Sequence, residues 1–111
     1  MLAVCGGIGS ADAAGQLSPC AVGPSDAAVA NAASHETLAV NLFGRPEIGW
    51  AFYEPLIANE IGTGCDGHSP GFAHALAAWQ SKHHLPGKGI VDAATLDQLK
   101  QAWQMKRPFV L

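Results

Sequence analysis

Positive charge is scarce in this chain. Only six of its 111 residues are Lys or Arg, and none precedes Arg45. No basic stripe with interleaved aromatic residues exists, which argues against nucleic acid as a partner. No run of about 18 apolar residues occurs, so no segment reads as a membrane-spanning helix. Aromatic residues are missing from the first third. All three Trp, all four Phe and the single Tyr lie at or after Phe43. Hydrophobic residues make up 49% of the chain, but much of that is alanine before Val40. The usable core is therefore built by the last 70 residues or so, a size that buries only about 60% of its unfolded surface and gains from a covalent staple.

The residue sets that carry catalysis are also missing. The five histidines are His35, His68, His74, His83 and His84. Zinc hydrolases place ligands at helix spacing, as in H-E-x-x-H, with a carboxylate base. His68 and His74 straddle a helix start, and His83 and His84 are adjacent, so their side chains diverge. No Asp or Glu completes a set, so the expectation is no metal and no cofactor, with histidines facing solvent or partly packed. Ser69 and Ser81 have no base at a useful spacing, and Ser69 is more simply a helix cap. Cys65 has no basic neighbour to lower its pKa. Paired carboxylates for glycoside cleavage would have to come from Glu54, Glu60, Asp66, Asp92 and Asp97, of which the helical ones read as solvated and Asp92 as a cap. An enzyme in this chain is not expected.

The most informative stretch runs from Phe72 to Trp103. Phe72, Leu76, Trp79 and His83 fall at i, i+4, i+7 and i+11, with Ala73 beside them, a stripe of helical period. Leu96, Leu99, Ala102 and Trp103 repeat the pattern. Asp92 stands where a carboxylate accepts from the free N–H groups of Ala94 or Thr95. Between the helices, Pro86 stops the first, and Gly87 and Gly89 allow a tight turn. Leu85, Ile90 and Val91 are expected to fold back as an apolar clasp.

Upstream, Gly44-Arg45-Pro46 is expected to open a helix. Its apolar rows are Ile48, Phe52 and Leu56 beside Trp50, Tyr53, Ile57 and Ile61. Pro55 interrupts it, so either a kink or a short helix to Tyr53 followed by a new one near Pro55 is expected. Gly62 and Gly64 end it, and Ser69-Pro70 caps the next helix. Leu38 to Phe43 reads as an irregular or 3₁₀ segment on the core. Residues 1–36 read as a leader remnant or flexible linker, within which Ser25-Asp26 can cap a short helix. Three cysteines leave one unpaired. If Cys5 is an anchor or is lost with the leader, Cys20 and Cys65 can pair, closing a loop of roughly 46 residues for roughly 4 kcal/mol. The alternative is two free thiols. At the other end, Phe109-Val110-Leu111 suggests either a longer protein or a segment that docks back on the bundle.

Leu2-Ala3-Val4-Cys5-Gly6-Gly7 resembles the end of a bacterial lipoprotein signal, in which the cysteine becomes lipidated; otherwise Cys5 is a plain cysteine in a tail. Ala78-Trp79-Gln80, His84-Leu85-Pro86, Gly89, Val91-Asp92 and Thr95-Leu96 resemble the second half of the small helical peptidoglycan-binding domain of bacterial cell-wall enzymes. His84 stands where that family usually has glycine. The first half, Ile48 to Ile61, lacks the family's glutamine. Asn41-Leu42-Phe43-Gly44-Arg45-Pro46-Glu47, Gly49-Trp50 and Arg107-Pro108-Phe109 are similar to the non-catalytic N-terminal part of exported zinc D-alanyl-D-alanine carboxypeptidases, whose metal domain follows this module.

The resemblance implies an all-α, three-helix bundle over residues 37–111, behind a disordered Ala/Gly-rich tail. It implies export to the periplasm or cell envelope, and non-catalytic binding of peptidoglycan, through glycan or stem peptide, that targets an attached hydrolase. Gln80, Asp92 and Thr95 around the turn, with His83, His84 and Lys88 on its rim, are the candidate ligand contacts. Structural duties are open for the same residues: Gln80 satisfying turn amides, Asp92 and Thr95 capping, Trp79 and Trp103 in the core. The alternatives in function are the N-terminal fragment of a zinc carboxypeptidase, or an interaction module without wall binding.

Overall fold

The computed structural model describes residues 19–106. The leader with Cys5 and the Phe109-Val110-Leu111 end lie outside the described residues. A 3₁₀ turn at Pro19–Ala21 precedes helix α1 (Ser25–Ser34). Strands β1 (Ala39–Val40) and β2 (Glu47–Ile48) form a short ribbon. A second 3₁₀ turn, Ala51–Tyr53, runs into α2 (Glu54–Ile61). Helices α3 (Pro70–Lys82) and α4 (Ala93–Lys106) complete the described chain. The fold is mostly helical, as expected, but it has four α-helices among the described residues where three were expected.

The additional helix, α1, lies in the stretch read as leader and linker. It follows Pro24 rather than a capping side chain from Ser25, which is its first helical residue. Ala27, Ala28, Asn31 and His35 are all buried. Their spacing, i, i+1, i+4 and i+8, is a helical stripe made of small and polar residues, which carries little hydrophobic signal. Alanine lets backbones approach closely, and α1 packs on α3. The Pro19–Ala21 turn also lies on α3, where Cys20 and Cys65 form a disulfide with Cα atoms 5.4 Å apart. That bond closes a 45-residue separation, so residues 19–36 are tied to the core by a covalent bond and a helix face.

The expected helix from Pro46 does not form. Glu47–Ile48 is extended and pairs antiparallel with β1, Ala39 opposite Ile48 and Val40 opposite Glu47. Gly49 explains the switch: its φ is +85°, and a β-carbon there would stand 2.6 Å from the His35 carbonyl oxygen. Its N–H donates to the Leu38 carbonyl at 2.6 Å, and the Trp50 N–H to the His35 carbonyl at 2.9 Å. Backbone groups that a helix would satisfy internally are taken by the segment after α1. The new helix then starts at Glu54 with Pro55 in its first turn, as expected, but the short helix to Tyr53 is reduced to the 3₁₀ turn Ala51–Tyr53. Leu38 to Phe43, expected as an irregular or 3₁₀ segment on the core, holds the two-residue strand β1 and then bends at Leu42 and Phe43, with Val40 and Leu42 in the core.

The core joins Trp50, Tyr53 and Ile57 to Phe72, Leu76 and Trp79 of α3, Val91 of the loop, and Leu96 and Leu99 of α4. Trp50 stacks on Phe72 with ring centroids 5.7 Å apart. Ser69 caps α3 as expected, its hydroxyl accepting from the Phe72 N–H at 3.2 Å.

Candidate binding site

The loop between α3 and α4 is held by two buried amides. Gln80 Nε2 donates to the Ile90 carbonyl at 3.0 Å and to Thr95 Oγ1 at 2.8 Å. Its Oε1 accepts from the Gly89 N–H at 2.8 Å. From the opposite side Asn31 Nδ2 donates to the Gly89 carbonyl at 2.8 Å, and its Oδ1 accepts from the Val91 N–H at 2.8 Å. A primary amide offers donors and an acceptor on one flat group, so it pairs with an extended backbone as a strand would. Gly89, at φ +75°, presents no side chain to α3; a β-carbon would lie 2.5 Å from the Ala73 carbonyl oxygen. Asp92 Oδ1 accepts from the Thr95 N–H at 2.9 Å and caps α4.

The candidate contacts therefore separate into two groups. Gln80 and Thr95 are each 1% exposed, with their polar atoms used inside the protein. His83, His84, Lys88 and Asp92 stand at the surface. His83 stacks on Trp79 at 4.0 Å between centroids. His84 ends α3 in a Schellman arrangement: its N–H reaches the Ser81 carbonyl at 3.2 Å, and the Leu85 N–H reaches the Gln80 carbonyl at 2.9 Å. That motif calls for a left-handed residue, normally glycine, and His84 takes it at φ +62°.

Asn31 is the residue that sequence patterns missed. It sits in an alanine-rich stretch 58 positions from Gly89, and only its helical spacing from Ala27, Ala28 and His35 marks it. His35 and Glu54 are the second surprise. His35, expected to face solvent or be partly packed, is buried, its Nε2 2.5 Å from Glu54 Oε1. Glu54 Oε2 accepts from the Gly67 N–H at 2.9 Å. Trp50 and His68 meet the imidazole edge-on at 4.6 and 4.5 Å. The pair joins the end of α1 to the start of α2 and the loop before α3. Among the described residues, no group of three or more His, Cys, Asp or Glu side chains is arranged to hold a metal ion.

The ribbon side of the molecule is more open. A pocket of about 150 Å³ lies between residues 39–42 and Ala93, Leu96 and Asp97 of α4. Nearby in sequence, Ile48 and Phe52 are 73% and 79% exposed, and Phe43 and Leu56 about half exposed. Phe43 and Phe52 both contact the buried ring of Tyr53, at 6.1 and 5.3 Å. Tyr53 donates its hydroxyl to Glu47 Oε1 at 2.7 Å. That bond, then burial, then the Glu47 charge hold the phenol above its ordinary pKa, with Arg45 opposing.

Comparison with protein-family models, with curated proteins and with solved structures gives no match.

Proposed function

We propose that this chain is a non-catalytic module that binds bacterial peptidoglycan and brings an attached hydrolase to the wall. The observation that carries this is the way the motif residues lock together. Gln80 reaches Gly89, Ile90 and Thr95, and Asp92 caps the same helix turn. His84 adopts the backbone conformation that favours glycine, the residue usual there in the family it resembles. The contacts to the wall are assigned to the surface set, His83, His84, Lys88 and Asp92, with Gln80 and Thr95 building the turn beneath them. A polymer that is polar with small apolar parts suits a rim of hydrogen-bonding groups beside the aromatic wall of His83 on Trp79. The Cys20–Cys65 bond suits an oxidising compartment, in keeping with export to the periplasm or envelope and a lipid anchor at Cys5.

A second possibility, an interaction module that packs on a partner domain, is favoured by the exposure of Ile48 and Phe52, large apolar side chains that a partner would cover. The N-terminal part of a zinc carboxypeptidase is compatible with either role. Sedimentation of the oxidised protein with insoluble peptidoglycan separates the first two. Wall binding predicts that the wild type sediments and that His83→Ala/Lys88→Ala stays in solution while melting normally. If neither sediments, and Phe52→Ser abolishes capture of an attached domain, the interaction role replaces it.

A further inference from the structure

We infer that the groove between β1 and the first turns of α4 seats the peptide part of the wall: a short, extended peptide of small side chains bearing a free amine. This rests on the wall-binding proposal and names the moiety bound. The first ground is the pairing pattern of the ribbon. The Gly49 N–H bonds to the Leu38 carbonyl while the Leu38 N–H turns back to the Ser34 carbonyl, so Leu38 and Gly49 share one ladder bond. With Ala39 opposite Ile48 and Val40 opposite Glu47, alternation turns the N–H and C=O of Ala39 away from β2. Asn41 follows β1 directly and lines the same pocket. Among the described residues neither Ala39 nor Asn41 has a hydrogen-bond partner on this side. An unpaired strand edge is a template for another strand.

The second ground is that Ala39 and Asn41 both line the pocket. The third is size. The strand is two residues long with only Ala39 turned outward, so it pairs with a short guest only, and a pocket of about 150 Å³ takes a small side chain. The fourth is charge: Asp97 is the one ionisable residue lining the pocket. One of its oxygens accepts from Gln101 Nε2 at 3.1 Å, leaving the other to receive an ammonium. N-acetylated glycan offers no primary amine, whereas a stem peptide carries an amine together with peptide amides, spaced unevenly by its γ-linked D-Glu, of which one can pair with Ala39.

The test uses the oxidised full chain and a synthetic stem peptide, N-acetyl-L-Ala-D-γ-Glu-L-Lys-D-Ala, whose one amine is the lysine's, followed by amide NMR and calorimetry. Saturable binding that shifts the Ala39 and Asn41 amides is expected. Acetylating the lysine amine is expected to weaken it about tenfold, the scale of one charge-assisted hydrogen bond. Ala93→Trp, at an exposed first-turn position, is expected to block the groove, and Asp97→Lys to match the acetylated peptide. Peptide that shifts neither amide, or binds Ala93→Trp as tightly as wild type, overturns the assignment. Sedimentation with whole peptidoglycan distinguishes the failures. A wall-bound protein indifferent to Ala93→Trp refutes the groove and leaves wall binding standing. If no protein sediments and the peptide does not bind, both fall.

Discussion

In the loop between α3 and α4, Gln80 and Asn31 take up the backbone groups of Gly89, Ile90 and Val91 from two sides. In the ribbon after α1, the outer groups of Ala39 and Asn41 have no such partner among the described residues. Both segments are irregular connections beside the same core. One is closed by side chains and the other is left with an open edge, a pocket and exposed rings. A closed loop spends its polar groups on stability, so little of it is left for a ligand except its rim. An open edge contributes little to stability and keeps its donors and acceptors for something else. Two of the polar residues offered as ligand contacts from sequence, Gln80 and Thr95, belong to the closed region.

The largest expected effect breaks the closed side. Gln80→Ala orphans the Gly89 N–H, the Ile90 carbonyl and the Thr95 hydroxyl in a buried site. A loss of about 3 kcal/mol is expected, seen as a fall in Tm of roughly 15 °C for a domain of this size. Lys88→Ala, on the exposed part of the same loop, is expected to change stability by no more than about 0.5 kcal/mol. Equal effects of the two in urea titrations would mean that the amide clamp does not hold the loop.

The contrast also explains what the sequence could and could not disclose. Helices α3 and α4, their caps at Ser69 and Asp92 and the break at Pro55 follow from local signals, period and capping chemistry, whereas the Cys20–Cys65 pairing, 45 residues apart, was open in the sequence and conditional on the fate of Cys5. The role of Asn31 does not, because its partners are 58 and 60 residues away and nothing near it is strongly apolar. The ribbon was hidden for a different reason. Glu47 to Ile61 has helical spacing, and only the tertiary approach of His35 to Gly49 turns its first residues into a strand. For Gln80 and Thr95 the sequence left a ligand contact and a structural duty open; the structure buries both, with Gln80 bonded to the turn as the structural reading had it.

A smaller effect is expected at the seam between the two behaviours. His84 sits at φ +62°, where a side chain costs about 1 kcal/mol that glycine avoids, offset in part by the greater freedom of glycine when unfolded. His84→Gly is expected to stabilise the protein by about 0.5 kcal/mol in urea titration and to weaken sedimentation with peptidoglycan. A histidine kept at a strained position for no binding purpose would give the first change without the second.

The smallest effect belongs to the open side and is confined to alkaline pH. Tyr53 donates to Glu47 Oε1, a bond that exists only while the phenol keeps its proton. That bond first, then burial, then the negative charge of Glu47 raise the Tyr53 pKa above its ordinary value of 10.0, against the pull of Arg45. The folded state thus favours the neutral phenol. The resulting stability is fully present below the pKa of an unfolded tyrosine, about 10, and is lost as pH rises through the higher folded value. Urea unfolding of the wild type and Tyr53→Phe over a pH range of about 8 to 12 measures this, the difference between them removing the contribution of other groups. The wild type is expected to lose more stability than Tyr53→Phe above about pH 10. Glu47→Gln removes the charge that opposes ionisation, so its Tyr53 is expected to ionise at lower pH by ultraviolet absorbance. Parallel stability curves for wild type and Tyr53→Phe would place Glu47 and Tyr53 in contact without energetic linkage, and the ribbon would then be held by backbone pairing and Gly49 alone.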